Sequence, residues 1–195
     1  MKKEDIITLP SVHLRDKSAK IREISDDLLQ LVADMTSAAV DWENSRPHEI
    51  SAALAAVQID RLERVVIVRS DFEEKSNHEF TALINPEIVK YEGEVVADYE
   101  GCLSVSGVYG KVPRYTKIRV KALDIDGQEV RFKADGFLAR VIQHEIDHTN
   151  GIVFIDHLRD SHDAFYTLDE KGELQPLNYD EHIKDNQVLW STFDQ

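Results

Sequence analysis

Residues 143 to 148 read Gln-His-Glu-Ile-Asp-His, and this hexapeptide limits the fold more than any other part of the chain. On a helix, His144 and His148 stand four residues apart and share one face. Two imidazoles on one face can hold the same metal ion, and Glu145 stands beside them as a candidate general base. The residues before the motif are apolar, with Phe137, Leu138, Val141 and Ile142, so the helix is predicted to be buried. Buried polar groups need partners, and a metal satisfies both rings at once. The single cysteine, Cys102, lies in Glu100-Gly-Cys-Leu-Ser104, just after a predicted strand. A thiolate beside a divalent ion is held deprotonated. Two histidines, one thiolate and a carboxylate are enough for a hydrolytic metal centre with an open position for water. Each part also has a plainer reading: solvent-facing or hydrogen-bonded histidines, and a cysteine that is a small buried hydrophobe.

Composition narrows the setting. A chain of 195 residues, 42% of them hydrophobic, suits one globular domain with a short appendage. The net charge of -14 argues against nucleic acid and against an anionic membrane surface. No apolar run approaches the roughly 18 residues of a transmembrane helix. The first residues, Met1 to Pro10, hold no long apolar stretch, and a lone cysteine forms no intrachain disulfide. A cytoplasmic protein is the expectation.

Helical spacing runs from Ile24 to Asp41, with Ser25-Asp26-Asp27 as a start signal. Glu43 to Glu49, polar and containing Pro47, reads as a loop. Strands are predicted at Arg64 to Arg69, Thr81 to Asn85 and Ile88 to Tyr99, the last two separated near Pro86. Lys117 to Leu123 and Gln128 to Ala134 form a predicted hairpin. A helix from Phe137 to about Asn150 is predicted to end at Gly151. Beyond these come a small hairpin turning at Lys171-Gly172 and an edge strand at Asn186 to Trp190. One helix, many strands and a late helix point to an α+β fold, with antiparallel strands around a central metal-binding helix. The division expected is a catalytic domain over 1–160 and a C-terminal appendage over 161–195.

A third segment, Ser51-Ala-Ala-Leu-Ala-Ala-Val-Gln58, combines small residues with an amide that can donate to a developing oxyanion. Taken alone it reads as a short packed element with an outward glutamine. The remaining histidines, among them His48 and His157, read as surface residues.

Taken together, the three segments resemble peptide deformylase. That family carries Gly-x-Gly-x-Ala-Ala-x-Gln, Glu-Gly-Cys-x-Ser and Gln-His-Glu-x-Asp-His in this order. The second and third motifs stand here without departure, and the first has Ser51 and Ala53 in place of its glycines. Leu83-Ile-Asn-Pro-Glu87, Val112-Pro-Arg114, Ala122-Leu-Asp124 and Gly151-Ile-Val-Phe-Ile-Asp156 match as well, so the resemblance covers roughly residues 5 to 160.

The resemblance implies removal of the formyl group from the N-terminal methionine of new polypeptides, so N-formylmethionyl chains are the expected partners. It implies Cys102, His144 and His148 as metal ligands and Glu145 as the acid–base residue. Gln58 and the backbone N–H of Leu103 would form the oxyanion site. Glu100 and Arg114 would make a structural ion pair, and Asp147 would orient a ligand without binding metal. Two nitrogens and one sulfur suit Zn(II), Fe(II), Co(II) or Ni(II), and the resemblance favours Fe(II) in the cell. Two alternatives stay open at this point: a metallopeptidase, and a catalytically weak binder of metal and peptide ends. A Cβ at position 51 or 53 would be strained if the backbone there needs positive φ. Arg140, on the histidine face of the helix, has three open readings: an outward snorkel, a bridge to Glu100, or a group at the pocket mouth.

Overall fold

The computed structural model describes residues 1–190; the last residues of the predicted appendage lie outside them. The first helix, α1, runs Asp26–Asn44. Ser25 caps it, accepting from the Leu28 N–H, and Asp26 and Asp27 sit where the helix dipole favours negative charge. The helix continues past the predicted end at Asp41 because its last turn is anchored inside the protein. Trp42 and Glu43 are buried, and the Glu43 carboxylate pairs with Arg69 at 2.6 Å. A polar residue marked a loop in the sequence, whereas here it is a satisfied interior charge.

The strands are β1 (Ala53–Ala55), β2 (Val65–Arg69), β3 (Phe80–Cys102), β4 (Val105–Leu123) and β5 (Glu129–Asp135). They are followed by helix α2 (Gly136–His148), strands β6 (Phe165–Leu168) and β7 (Leu174–Pro176), and short helices α3 (Tyr179–His182) and α4 (Gln187–Trp190). One antiparallel sheet runs β1-β2-β3-β4-β6-β7, and β5 also pairs with β4. β5 takes residues 117–123 of β4, while β6 takes Tyr109 and Gly110.

Two sequence expectations need correction. The two strands predicted on either side of Pro86 are one long strand with an irregularity between Ile84 and Glu87. Proline cannot donate to the ladder. Asn85 absorbs the defect at φ 52, its side chain exchanging two 2.8 Å hydrogen bonds with the Ile21 backbone. The edge strand predicted at Asn186 to Trp190 is instead the helix α4. The Asn186 side-chain Oδ1 accepts from the Val188 and Leu189 N–H groups, the pattern of an N-cap, and Leu189 is buried.

α1 packs on β1 and β2 through Leu31, Met35 and Ala38. α2 packs through Ala139, Ile142 and Ile146 against Val66, Ile118 and Val120 of the sheet. The segment beyond residue 160 is built into a third cluster, in which Phe165, Ile183 and Leu189 meet Leu9, Leu14 and Phe154. α2 ends where predicted. Gly151 has φ +76, and an added Cβ would lie 2.3 Å from the Arg15 carbonyl oxygen, so both conformation and space demand glycine there. The hairpin predicted around Lys171-Gly172 is present as β6 and β7. Among the described residues no helix is long and apolar enough to cross a membrane.

Candidate metal centre

The tight link between β3 and β4 aims one group inward, and the middle of α2 presents two more. Cys102 closes β3, and the register of Cys102 with Val105 leaves Leu103 and Ser104 as the turn. The Cys102 Sγ lies 3.2 Å from His148 Nε2, and His148 Nε2 lies 3.2 Å from His144 Nε2. Donors around one tetrahedral ion, each about 2.0–2.3 Å from it, stand about 3.3–3.6 Å apart. Sγ and the two Nε2 atoms therefore fit a single divalent ion, and this group is the metal-ligating cluster found among the described residues.

The protonation pattern supports the same reading. Burial opposes charge on His144, but Cys102 and Glu100 together hold it well above the usual imidazole range. Burial and the charge of His144 push His148 well below that range. Protonated His144 thus stands beside neutral His148, and a divalent ion among these donor atoms would satisfy both rings.

The orienting partner of His144 is Glu100, whose Oε2 lies 2.9 Å from His144 Nδ1. A carboxylate behind the ring fixes which nitrogen faces the metal. This corrects the expectation for Asp147, whose carboxylate instead bonds Arg114 and His157. Glu100 is itself clamped. Arg114 binds it bidentately at 2.9 and 3.1 Å, the expected ion pair, and Arg140 Nη1 donates at 2.7 Å. Arg140 also donates to the carbonyls of Val96 and Val112, each at 2.7 Å. Of its three open readings, the bridge to Glu100 is found, and Arg140 also lines the cleft; an outward snorkel is not what the structure shows. Burial alone would raise the Glu100 carboxyl, but hydrogen bonds from His144 and Arg114 hold it far below the usual carboxylate range.

Glu145 differs. Burial pushes its carboxyl up to about 7, and its Oε2 is buried without a hydrogen-bond partner. It lines the same cleft as Cys102 and His144. A buried carboxyl poised near neutrality is suited to taking and returning a proton.

Gln58 lies in a short 3-10 turn after β1 and is buried. Its Oε1 accepts from the Ala55 N–H at 2.9 Å, so its Nε2 faces Ser104 Oγ at 3.1 Å and Cys102 Sγ at 3.6 Å. Leu103 lines the cleft as well. The structure thus brings Cys102, Leu103, Gln58, His144, Glu145 and His148 to one place.

Ser51 and Ala53 are not strained. Among the described residues only Asp60 and Asn85 combine positive φ with a side chain. Ser51 is held through its backbone, its N–H donating to Glu43 at 2.8 Å and its carbonyl accepting from Arg69 at 3.3 Å.

Sequence reasoning missed several residues. His157, read as surface, contacts Asp147 at 2.7 Å. His48 lines the cleft, as do Leu168 and Leu174 of the tail. The cleft holds about 310 Å³. For Leu168 and Leu174 the one available signal was the predicted hairpin, whose alternation puts both on one face.

Two histidines and a buried carboxyl on one helix, met by a cysteine from the end of an antiparallel strand, define the donor set of a metal-dependent hydrolase. Known proteins agree. The model of the polypeptide deformylase family matches residues 3–164. A peptide deformylase from Thermomicrobium roseum is 44% identical over 86% of this chain and 93% of its own length. One from Brachyspira hyodysenteriae is 41% identical over 89% and 88%. Among solved structures, a peptide deformylase from Synechococcus elongatus in complex with actinonin superposes with a TM-score of 0.71 at 32% identity, covering 78% of each chain. A class I type b enzyme from Acinetobacter baumannii, bound to Met-Ala-Ser, gives 0.69 at 30% identity, covering 78% of this chain and 96% of that one. The chain belongs to the polypeptide deformylase family, and its reaction is hydrolytic removal of the N-formyl group from newly made polypeptides.

Proposed function

We propose that this deformylation runs at one metal held by Cys102, His144 and His148, with Glu145 as the acid–base residue and Gln58 and the Leu103 N–H as the oxyanion donors. The observation that carries the assignment is the convergence of Sγ and two Nε2 atoms, each 3.2 Å from the next, beside the buried Glu145 carboxyl, whose Oε2 has no hydrogen-bond partner. When bound, a divalent metal acidifies water and polarises the formyl oxygen. Glu145 takes a proton from the attacking water and delivers it to the departing amine nitrogen. Gln58 Nε2, its amide locked by Ala55, and the Leu103 N–H donate to the oxygen that gains charge in the transition state. Glu100, between Arg114 and Arg140, keeps His144 presenting Nε2. The C–N bond of the formamide breaks, leaving formate and a free amino terminus.

Fe(II) is the proposed metal in the cell, and Zn(II), Ni(II) or Co(II) fit the same donors. The proposed substrates are N-formylmethionyl peptides and nascent chains. The A. baumannii relative binds Met-Ala-Ser, the product that such a substrate would leave. A cytoplasmic setting suits a site that needs its lone thiol reduced. The test is formate release from formyl-Met-Ala-Ser compared with hydrolysis of the unformylated peptide, in an iron-loaded sample kept anaerobic. Release from the formylated peptide alone is expected. Cleavage of the unformylated peptide would overturn the reading in favour of a peptidase.

A further inference from the structure

The cleft over the metal ligands is not built by the family-matched segment alone. That match ends at residue 164, and β6 begins at Phe165. Leu168 of β6 and Leu174 of β7 line the same cleft as Cys102 and Glu145. They are direct partners across the hairpin, and directly opposed residues of an antiparallel pair show their side chains on one face. The hairpin therefore turns a pair of leucines toward the cleft.

This wall is anchored at both ends. At its root Phe165 is buried, and Tyr166 pairs with Tyr109 of β4. At its tip the turn rests on the loop across the cleft, where a Cβ added to Gly172 would stand 2.8 Å from His48 Cβ. That loop is fixed in turn. Lys75 Nζ donates to the carbonyls of Arg46, Pro47 and Glu49 at 3.0, 3.3 and 3.0 Å, and the Tyr109 hydroxyl donates to Glu49. Tyr109 thus ties the root of the hairpin to the loop that meets its tip.

We propose that the C-terminal hairpin is a specificity wall of the active-site cleft, on which Leu168 and Leu174 contact the side chain that follows the formylated methionine and favour an apolar one. The inference rests on the deformylase reading. The metal ligands, Glu145 and Gln58 act on the formyl amide, which all such substrates share, so discrimination must come from groups further along the cleft. An apolar side chain laid against two leucines removes apolar surface from water on both partners. An aspartate laid against the two leucines would lose hydration to an apolar surface, and it would stand in a cleft that Glu49 also lines.

The experiment compares kcat/KM for formyl-Met-Leu-Ser and formyl-Met-Asp-Ser in the metal-loaded, full-length protein. The wild type is expected to favour the leucyl peptide by about tenfold, mainly through KM, the scale of a modest change in an apolar pocket. Leu168→Ala combined with Leu174→Ala should bring the ratio close to one. Leu168→Lys should move the preference toward the aspartyl peptide, a gain that a destabilised protein cannot imitate. Leucyl-to-aspartyl ratios in both variants within about twofold of wild type, measured with clear formate release, would remove the wall and leave the deformylase reading standing. Failure of the wild type to release formate from either peptide would overturn that reading and the wall with it.

Discussion

The Glu145 carboxyl and its neighbour His144 are adjacent in sequence yet sit in opposite electrostatic settings. Glu100, with two arginines around it, stays ionised behind His144, while burial without a partner brings Glu145 up to about 7. Two carboxyls pushed apart in this way divide the work, one holding a ligand and one moving protons. Glu145→Gln should therefore keep the metal and lose about a hundredfold or more in kcat; elemental analysis beside a formate assay checks both halves, and near wild-type turnover would remove Glu145 from the mechanism. Glu100→Gln should act differently. It leaves His144 without its anionic partner, so metal affinity should fall about 10–100-fold, as seen when such orienting groups are lost. Competition with a chelator measures that shift. Unchanged affinity would mean that Arg114 and Arg140 position the ring without the charge.

At the scale of elements, α1 and β2 are joined to the first motif by an ion pair that the sequence does not announce. Glu43 and Arg69 are each 1% exposed, and together they hold the backbone of Ser51 on both sides. Glu43→Ala leaves a buried guanidinium unpaired and should cost about 3–5 kcal/mol. Ser51→Ala, by contrast, removes a buried hydroxyl without a partner and should be neutral or stabilising by up to about 1 kcal/mol. Urea denaturation of the two variants separates these outcomes, and a large loss in Ser51→Ala would mean that the hydroxyl has a water partner. What the sequence revealed and what it hid follow the same division. Spacing within one helix placed His144, Glu145 and His148, and β-branched runs bounded by turn residues placed several strands, because those patterns are local. Glu43 with Arg69, and Leu174 beside the catalytic cleft, are meetings between distant parts of the chain, and no local period encodes them. The α4 segment misled because Val188, Leu189 and Trp190 suit a strand, while the deciding group was the Asn186 side chain closing the first turn.

Across the whole molecule, the metal site joins pieces that also meet through packing and through hydrogen bonds such as those of Gln143 with the Tyr115 backbone. Cys102 belongs to the long β3–β4 hairpin and the histidines to α2, and the Glu100 cluster adds Arg114 from β4 and Arg140 from α2. A metal present at about a thousandfold over its dissociation constant stabilises the folded state by about 4 kcal/mol, which for a chain of this size corresponds to a melting shift of roughly 8–16 °C. Chelation should lower Tm by that order and expose a pH dependence that the metal otherwise dominates. In the metal-free protein the Glu145 carboxyl is raised from 4.5 to about 7. A raised carboxyl favours the folded state fully below 4.5, and that contribution is lost as pH rises through 7, an amount on the order of 3 kcal/mol. Glu100 and Asp147 are depressed, so their contribution has the opposite sign: it is present above about 4.5 and lost as pH falls below it. Scanning calorimetry of the chelated protein should therefore show Tm falling as pH rises from 4.5 to about 7, the interval between the unfolded and folded values of Glu145, with the fall reduced in Glu145→Gln. An equal fall in both proteins would mean that ionised Glu145 finds water in the metal-free state, and that its neutral-range titration belongs to the metal-bound enzyme alone.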